Sequence, residues 1–200
     1  MPYLYRMAAV AHERGTPVMR PLMMQFPEDR GSDCIDLQYM LGDSLLVAPI
    51  FRPDGEVDFY LPPGVWTHLL TGEVLPGGWR HAAYDYFSLP LFVRQNTLLP
   101  LGGNDQRPDY DYTEGLELQL FALQDGATAA CAIPDLAGRT VATATAARQG
   151  ATLTLTAAGL PAVTYLLRGV SSVASVQGGL AEATPQGLRI RTKGPVVVEL

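Results

Sequence analysis

The hydrophobic pattern at the start of the chain is helical and then becomes strand-like. Apolar residues recur at helical spacing over residues 2–13, with Pro2 in the first turn and Gly15 where a helix would stop, which predicts a helix. Residues 17–26 form a nearly continuous apolar run, which suits a strand buried on both faces, although periodicity alone cannot separate such a strand from a buried helix. Pro21 counts against a central position in a sheet. The chain therefore begins with a pattern typical of α/β folds.

Beyond a short helix or turn predicted over residues 33–40, the remaining pattern is that of short strands separated by Gly, Pro and Asp. The predicted strands are residues 45–51, 57–61, 65–70, 73–75, 79–87, 91–93, 98–101, 116–123, 128–133, 140–146, 152–157, 163–167, 188–191 and 196–198. Residues 102–108 are polar and rich in turn formers, and they divide these strands into two groups. The sequence thus predicts two small antiparallel β modules, both sandwich-like.

The composition is that of a globular chain with few possible classes of partner. Of its residues, 48% are hydrophobic and 17% charged, and no stretch approaches the roughly 18 apolar residues of a membrane span. The net charge is −6, from 14 basic and 20 acidic residues, which disfavours a broad basic surface. We therefore expect neither a nucleic-acid nor a membrane partner.

The cysteines and the first residues favour a reducing compartment. Cys34 and Cys131 lie far apart and form no CxxC motif, which does not suit a disulfide framework. Charged residues occupy residues 1–14, where an export signal would need an apolar core. We therefore expect a cytoplasmic protein.

No motif for a metal or cofactor is visible. The three histidines share no ligand spacing, and the glycine pairs lack the pattern of a phosphate-binding loop; the histidines are His12, His68 and His81. The sequence therefore predicts neither a metal nor a cofactor.

Several segments, in order along the chain, resemble glycoside hydrolase family 31. Residues 1–6, 15–22 and 38–49 are similar to the last segments of the family's barrel. Residues 60–101 resemble its proximal C-terminal β domain, and residues 107–126 resemble the distal β domain of bacterial α-xylosidases. The matches cover almost the whole chain in the family's order.

The resemblance implies a mainly β chain with three parts. Residues 1–44 would be a remnant of a (β/α)8 barrel, residues 45–103 the proximal β domain and residues 104–200 the distal β-sandwich domain. A barrel of this type needs about 250 residues, so we expect most of it to be missing.

The family is one of retaining α-glycoside hydrolases, here of the type that removes terminal α-xylosyl or α-glucosyl residues. The implied partners are an oligosaccharide substrate in the full-length enzyme and the missing N-terminal barrel segments, and homo-oligomerisation is left open. The family's nucleophile and acid/base precede everything in this chain, so no catalytic residue is assigned.

Three residues near the predicted barrel strand are candidates for supporting the active site. Arg20 lies within an apolar run and needs a partner, either an active-site carboxylate or a structural salt bridge. Gln25 and Phe26 end the predicted strand, on the side where barrel active sites lie.

Other chemistry-bearing residues have a structural interpretation beside the functional one. Asp109, Asp111 and Glu114 could bind a cation, but a solvated connection is preferred. Asp43 suits a turn better than acid catalysis. Five aromatic residues could form a sugar-stacking platform, although a core position is preferred; they are Trp66, Trp79, Tyr84, Tyr86 and Phe87.

The chain therefore has two possible functions. It is either the supporting C-terminal segment of an α-glycoside hydrolase or a stand-alone carbohydrate-binding or subunit-interaction module. In the first case, residues 2–13 and 17–26 should leave apolar surface uncovered in the isolated chain.

Overall fold

The computed structural model describes all 200 residues and is dominated by strands. The helices are α1 (Pro2–Arg14) and α2 (Leu22–Gln25), with a 3-10 turn at Arg30–Ser32. The strands before residue 102 are β1 (Met19–Arg20), β2 (Tyr39–Leu41), β3 (Leu45–Val47), β4 (Glu56–His68), β5 (Val74–Ala83), β6 (Leu91–Arg94) and β7 (Thr97–Leu101). The later strands are β8 (Glu117–Phe121), β9 (Thr128–Pro134), β10 (Thr140–Gln149), β11 (Thr152–Ala158), β12 (Val163–Arg168), β13 (Ser175–Gln177), β14 (Leu180–Thr184), β15 (Gly187–Thr192) and β16 (Val196–Glu199). No helix is long and apolar enough to cross a membrane.

The chain divides into two compact units, at other boundaries than those predicted after residues 44 and 103. One comprises residues 16–95 and is called the 16–95 unit. The other comprises residues 1–15 and 96–200 and is called the sandwich unit. The boundaries differ because strands β1–β3 join the same sheet as β4–β6, whereas α1 packs on strands of the sandwich unit.

The 16–95 unit is built on one antiparallel sheet of six strands. Its strand order is β1-β2-β3-β6-β4-β5, and every neighbouring pair is antiparallel. Apolar side chains from α2 and from strands of the sheet form its core: Leu22, Met40, Leu46, Ala48, Phe59, Leu61, Trp66 and Phe92. The antiparallel β module predicted for this region is therefore present.

Two segments that the sequence predicts as breaks between strands lie inside the strands of the long hairpin β4–β5. Residues 62–64 lie inside β4 as an irregularity in the register between Leu61 and Val65, and residues 77–78 lie inside β5. Gly77 permits this close approach, since a Cβ there would meet the Pro62 carbonyl oxygen at 2.7 Å. The same oxygen accepts a hydrogen bond of 2.8 Å from the Trp66 indole. Four predicted short strands are thus two long ones.

The prediction of a doubly buried strand over residues 17–26 is wrong. Only β1 is extended there, and it pairs antiparallel with β2. Pro21 cannot donate to a sheet, and it precedes the short helix α2. Of the helix or turn predicted over residues 33–40, a turn is present at residues 33–34, whereas Tyr39 and Met40 belong to β2. The barrel remnant expected over residues 1–44 is not confirmed.

The sandwich unit contains two five-stranded sheets that share one core. The strand orders are β13-β16-β11-β10-β9 and β14-β15-β12-β8-β7, with β8 and β12 as the only parallel pair. Buried apolar residues of both sheets form a single cluster that includes Leu118, Leu155, Tyr165 and Ile190. The predicted sandwich-like module is present, and β13 and β14 are additions whose residues are largely exposed.

Helix α1 confirms the predicted helix but packs on the sandwich unit. It ends at Gly15, whose φ of 71° is left-handed, the usual conformation of a helix C-cap. Tyr5 donates a 2.5 Å hydrogen bond to the Leu136 carbonyl, and its ring lies 5.6 Å from that of Tyr112. These contacts explain why the first fifteen residues belong with the C-terminal strands.

Of the two segments predicted to leave apolar surface uncovered, residues 17–26 do so, whereas the helix over residues 2–13 buries Tyr3 and Met7 and packs on the sandwich unit. Met19, Met23 and Met24 are each about half exposed or more. Exposure of apolar side chains to water is unfavourable, and flexible methionine side chains are common at binding surfaces. Exposed methionines such as these are therefore typical of a docking surface.

Candidate functional site

The structure brings the three sequence candidates together at the start of the 16–95 unit. Arg20, in β1, is buried, and its guanidinium donates to the Pro17 carbonyl at 2.8 Å and to Oε1 of Gln25 at 2.9 Å. The predicted need for a partner is therefore met in part by a neutral amide at the end of α2. This pairing holds Gln25 in place.

Phe26 lies next to Gln25 and connects it to the core. Its ring meets Trp66 edge-on at a centroid distance of 6.1 Å, and the Arg94 guanidinium lies 5.0 Å from its centroid. Gln25 and Phe26 also line a groove of about 390 Å³; the other lining residues are Pro27, Glu28, Asp29 and Pro63. The groove is within the size range of small-ligand sites.

Asp29 and Tyr60 extend the site beyond the sequence candidates. The Tyr60 hydroxyl donates to the Asp29 carboxylate at 3.0 Å, and Asp29 also accepts from the Gly31 amide at 3.0 Å. Burial, and then the hydrogen bond to Asp29, raise the pKa of Tyr60. Gln38 bridges the Tyr60 backbone, donating to its carbonyl at 2.6 Å and accepting from its amide at 2.7 Å. No spacing in the sequence signals these contacts.

The five aromatic residues considered as a sugar-stacking platform differ in burial. Trp66 is buried in the core, and Tyr84 stacks on the buried His68 at 5.9 Å, as the core interpretation predicts. Trp79, Tyr86 and Phe87 are instead 60%, 97% and 88% exposed. The core interpretation is therefore wrong for these three.

The acidic candidates of the sandwich unit are engaged within their own turn. Asp109 pairs with Arg107 at 3.0 Å, and Asp111 accepts from the Thr113 hydroxyl at 2.7 Å. These hydrogen bonds lower the pKa of both carboxyls. Asp43 likewise accepts from its neighbour Ser44 at 2.7 Å. The structural interpretation fits all three.

The groove is lined by residues with hydrogen-bonding groups and by an aromatic ring. Glu28, Asp29 and Gln25 lie beside Phe26 in its lining. No group of three or more His, Cys, Asp or Glu side chains in the chain is arranged to hold a metal ion. The chemistry available is therefore recognition of hydroxyl groups by acceptors and of apolar ring faces by aromatic surfaces.

Replacing Gln25 with methionine, a side chain of similar shape, should destabilise the 16–95 unit by about 1–3 kcal/mol. The reason is that the buried Arg20 loses the hydrogen bond that it donates to Oε1 of Gln25. Urea unfolding followed by circular dichroism measures the change. Met24→Leu, on the exposed side of α2, is the control and should shift stability by less than about 0.5 kcal/mol. Equal effects of the two substitutions would show that the Arg20 contact contributes nothing.

Two family models together match most of the chain. Residues 15–99 match the glycosyl hydrolase family 31 C-terminal domain. Residues 111–200 match the C-terminal domain of the α-xylosidase YicI. The boundary between the two matches lies near the polar stretch at residues 102–108.

Individual relatives and structures agree with these models. The α-xylosidase XylQ of Lactiplantibacillus pentosus is 40% identical over 131 residues, which are 63% of this chain and 17% of that protein. The structure of an α-xylosidase from Xanthomonas citri matches all of this chain and 23% of its own, with a TM-score of 0.72 and 26% identity. A dextranase structure from Flavobacterium johnsoniae matches all of this chain and 31% of its own, with a TM-score of 0.82 at 17% identity, and so agrees in fold alone.

This chain spans less than a fifth of the length of the curated relative and less than a third of the length of the two matched structures. The matching segments are those of C-terminal domains.

Proposed function

Because this chain belongs to glycoside hydrolase family 31 and forms its C-terminal part, we propose that it supplies the supporting β domains of a retaining α-xylosidase. The whole enzyme would hydrolyse terminal α-xylosyl residues of an oligosaccharide, with terminal α-glucosyl residues as the alternative. The observation that carries the choice of α-xylosidase is the match of residues 111–200 to an α-xylosidase C-terminal domain. The α-glucosidases among the relatives support the alternative.

None of the five carboxyls whose pKa is clearly shifted in this chain is suited to be the proton donor of a glycosidase. A retaining glycosidase needs two carboxyl groups about 5–5.5 Å apart, one of them an acid with a raised pKa. Where this structure shifts a carboxyl pKa, the shift is downward, through hydrogen bonds and arginine partners; these carboxyls are Asp54, Asp85, Asp109, Asp111 and Asp135. Such groups stay ionised at neutral pH and are unsuited to donate a proton to a leaving group.

The exposed methionines support docking to the missing barrel segments. Met19, Met23 and Met24 are exposed, and in the chain they stand next to Arg20 and Gln25, which form a buried pair. A catalytic barrel packed on these methionines would cover them and would place the groove of Gln25 and Phe26 next to the enzyme's core. In this arrangement Arg20, Gln25 and Phe26 are positioning residues and contact no reacting atom.

The proposal is tested by an activity assay and by a hybrid enzyme. The purified chain should release no p-nitrophenol above the blank from p-nitrophenyl α-xyloside or α-glucoside, with a full-length family 31 α-xylosidase as the positive control. Turnover that copurifies with the chain and saturates with substrate contradicts the supporting role. Replacing the matching segment of that full-length α-xylosidase with this chain should preserve hydrolysis of the α-xyloside. A hybrid that elutes and melts like its parent but is inactive on both substrates also contradicts the proposal.

A further inference from the structure

The outer face of the β4–β5 hairpin carries side chains that the proposed function does not use. Tyr60 is paired with Trp79 across the hairpin, and Asp58 is paired with His81. Side chains two residues apart on a strand lie on the same face, so these four and Glu56 form one surface. We call these five residues the hairpin face.

Trp79 is the exposed aromatic centre of the hairpin face, and its surroundings hold it in place. Its side chain is 60% exposed, and its ring lies 5.5 Å from that of Tyr60 at an interplanar angle of 48°. The hydrogen bond from Tyr60 to Asp29 fixes the supporting ring. The Arg80 guanidinium donates to the Trp79 carbonyl at 2.7 Å and to the Pro76 carbonyl at 2.7 Å. The Arg80 hydrogen bonds fix the backbone at Trp79, and the Tyr60 ring limits the motion of the indole, so less conformational freedom is lost when a ligand binds.

Polar groups lie next to this aromatic pair. Asp58 Oδ1 is 2.8 Å from His81 Nδ1, and Glu56 Oε2 is 4.0 Å from His81 Nε2. The side chains of Asp58, His81 and Glu56 are 69%, 60% and 44% exposed. Carboxylate oxygens accept hydrogen bonds from hydroxyls, and the imidazole offers a second nitrogen to a ligand. The face therefore combines an open aromatic plane with hydrogen-bonding groups.

We propose that the hairpin face binds one or two sugar residues of a neutral oligosaccharide, with Trp79 as the stacking surface. One face of a pyranose ring presents C–H groups, which pack on the electron-rich face of an indole. The hydroxyls at the ring's edge then reach Asp58, His81 and Glu56. This surface site is separate from the groove of Gln25 and Phe26, and it does not depend on the proposed catalytic role.

The charges of the hairpin face favour a neutral, hydroxyl-rich ligand over other occupants. Arg52 pairs with Asp54 and Glu56, and Asp58 faces His81, so the acidic side chains offset the nearby arginines and leave no basic surface for nucleic acid or anionic lipid. A stable dimer buries about 800 Å² on each partner with few charges at its centre. The exposed apolar part of this face is one indole among charged side chains, which is too small for such an interface.

Tryptophan fluorescence of the native chain tests the proposal. Trp66 is 1% exposed, so Trp79 is the tryptophan whose emission can respond to a bound sugar. Titration with xyloglucan heptasaccharide and with maltoheptaose should give a saturable change in emission for at least one of them, and the bound sugar should protect Trp79 from quenching by acrylamide. The absence of a saturable change with both oligosaccharides overturns the proposal.

Matched variants distinguish binding at the hairpin face from non-specific binding to exposed aromatic residues. By calorimetry, Trp79→Ala should weaken binding about tenfold or more, and His81→Ala about threefold. Phe87→Ala removes an aromatic residue that is even more exposed than Trp79 and lies outside the hairpin face, so the affinity should stay within about twofold. Unchanged binding by Trp79→Ala, or an equal loss with Phe87→Ala, contradicts the proposal. A dimer in sedimentation that Trp79→Ala abolishes would identify the face as a protein interface instead.

Discussion

Replacing Trp66 with alanine is expected to destabilise the 16–95 unit by about 3–5 kcal/mol, enough to unfold a domain of ordinary stability. The indole is 1% exposed, lies edge-on to Phe26 and donates to the Pro62 carbonyl at 2.8 Å. The substitution removes a large part of a small core and leaves the Pro62 oxygen without this donor. Urea unfolding, followed by circular dichroism, measures the loss.

Trp79→Ala is the matched control for this measurement. It removes the same side chain from the same hairpin at a position that is 60% exposed, where the contact with Tyr60 is lost, so stability should fall by only about 0.5–1.5 kcal/mol. Trp66 lies in the core of the 16–95 unit, so its replacement should lower the stability of that unit. Similar losses from the two substitutions would mean that Trp66 is not the centre of this core.

The two cysteines are expected to differ at least about a thousandfold in their rate of reaction with a thiol reagent such as DTNB at about pH 8. Cys34 is exposed, whereas burial raises the pKa of the Cys131 thiol, in β9, to about 12. The thiolate is the reacting species, and with this pKa only about one Cys131 thiol in ten thousand is ionised at about pH 8. The native chain should therefore show one fast thiol, and the chain unfolded in guanidinium chloride should show two.

The pH dependence of labelling provides the internal check. Because the pKa of Cys131 is raised, its rate should increase about tenfold for each pH unit above 8 until the pH nears 12. Cys34→Ser should abolish the fast phase in the native chain and leave this slow phase unchanged. Two fast thiols in the folded wild-type chain would show that Cys131 is accessible and ionised.

Local patterns in the sequence predict the helices and strands whose apolar faces are covered by other residues of this chain. Helix α1 follows from its apolar spacing with Pro2 and Gly15 at its ends, and the strands of the sandwich unit follow from alternation between turn residues. The segment of residues 17–26 shows the limit of this reasoning. Its apolar run predicts burial, yet Met19 and Met23 are exposed, because apolar character does not say which surface covers a residue.

The candidate site could be predicted only at the residue whose burial requires a hydrogen-bond partner. A buried arginine requires a partner, so a contact for Arg20 could be expected, although not that it would include the amide of Gln25. The Tyr60 contacts could not be expected, because Asp29 and Gln38 lie 31 and 22 positions away in the chain. Trp79 was misjudged because the sequence does not reveal which face of a hairpin is solvated, and this depends on the register of β4 and β5.

The packing of α1 on strands β7 and β9 makes the sandwich unit discontinuous along the polypeptide. A ribosome synthesises α1 before the whole 16–95 unit, and the strands on which the helix packs come after that unit. A helix of 13 residues is marginal in water by itself. It can therefore gain its contacts with the β-sandwich only after β7 and β9 have been made, and a chain cleaved near residue 15 would keep the helix only through those contacts.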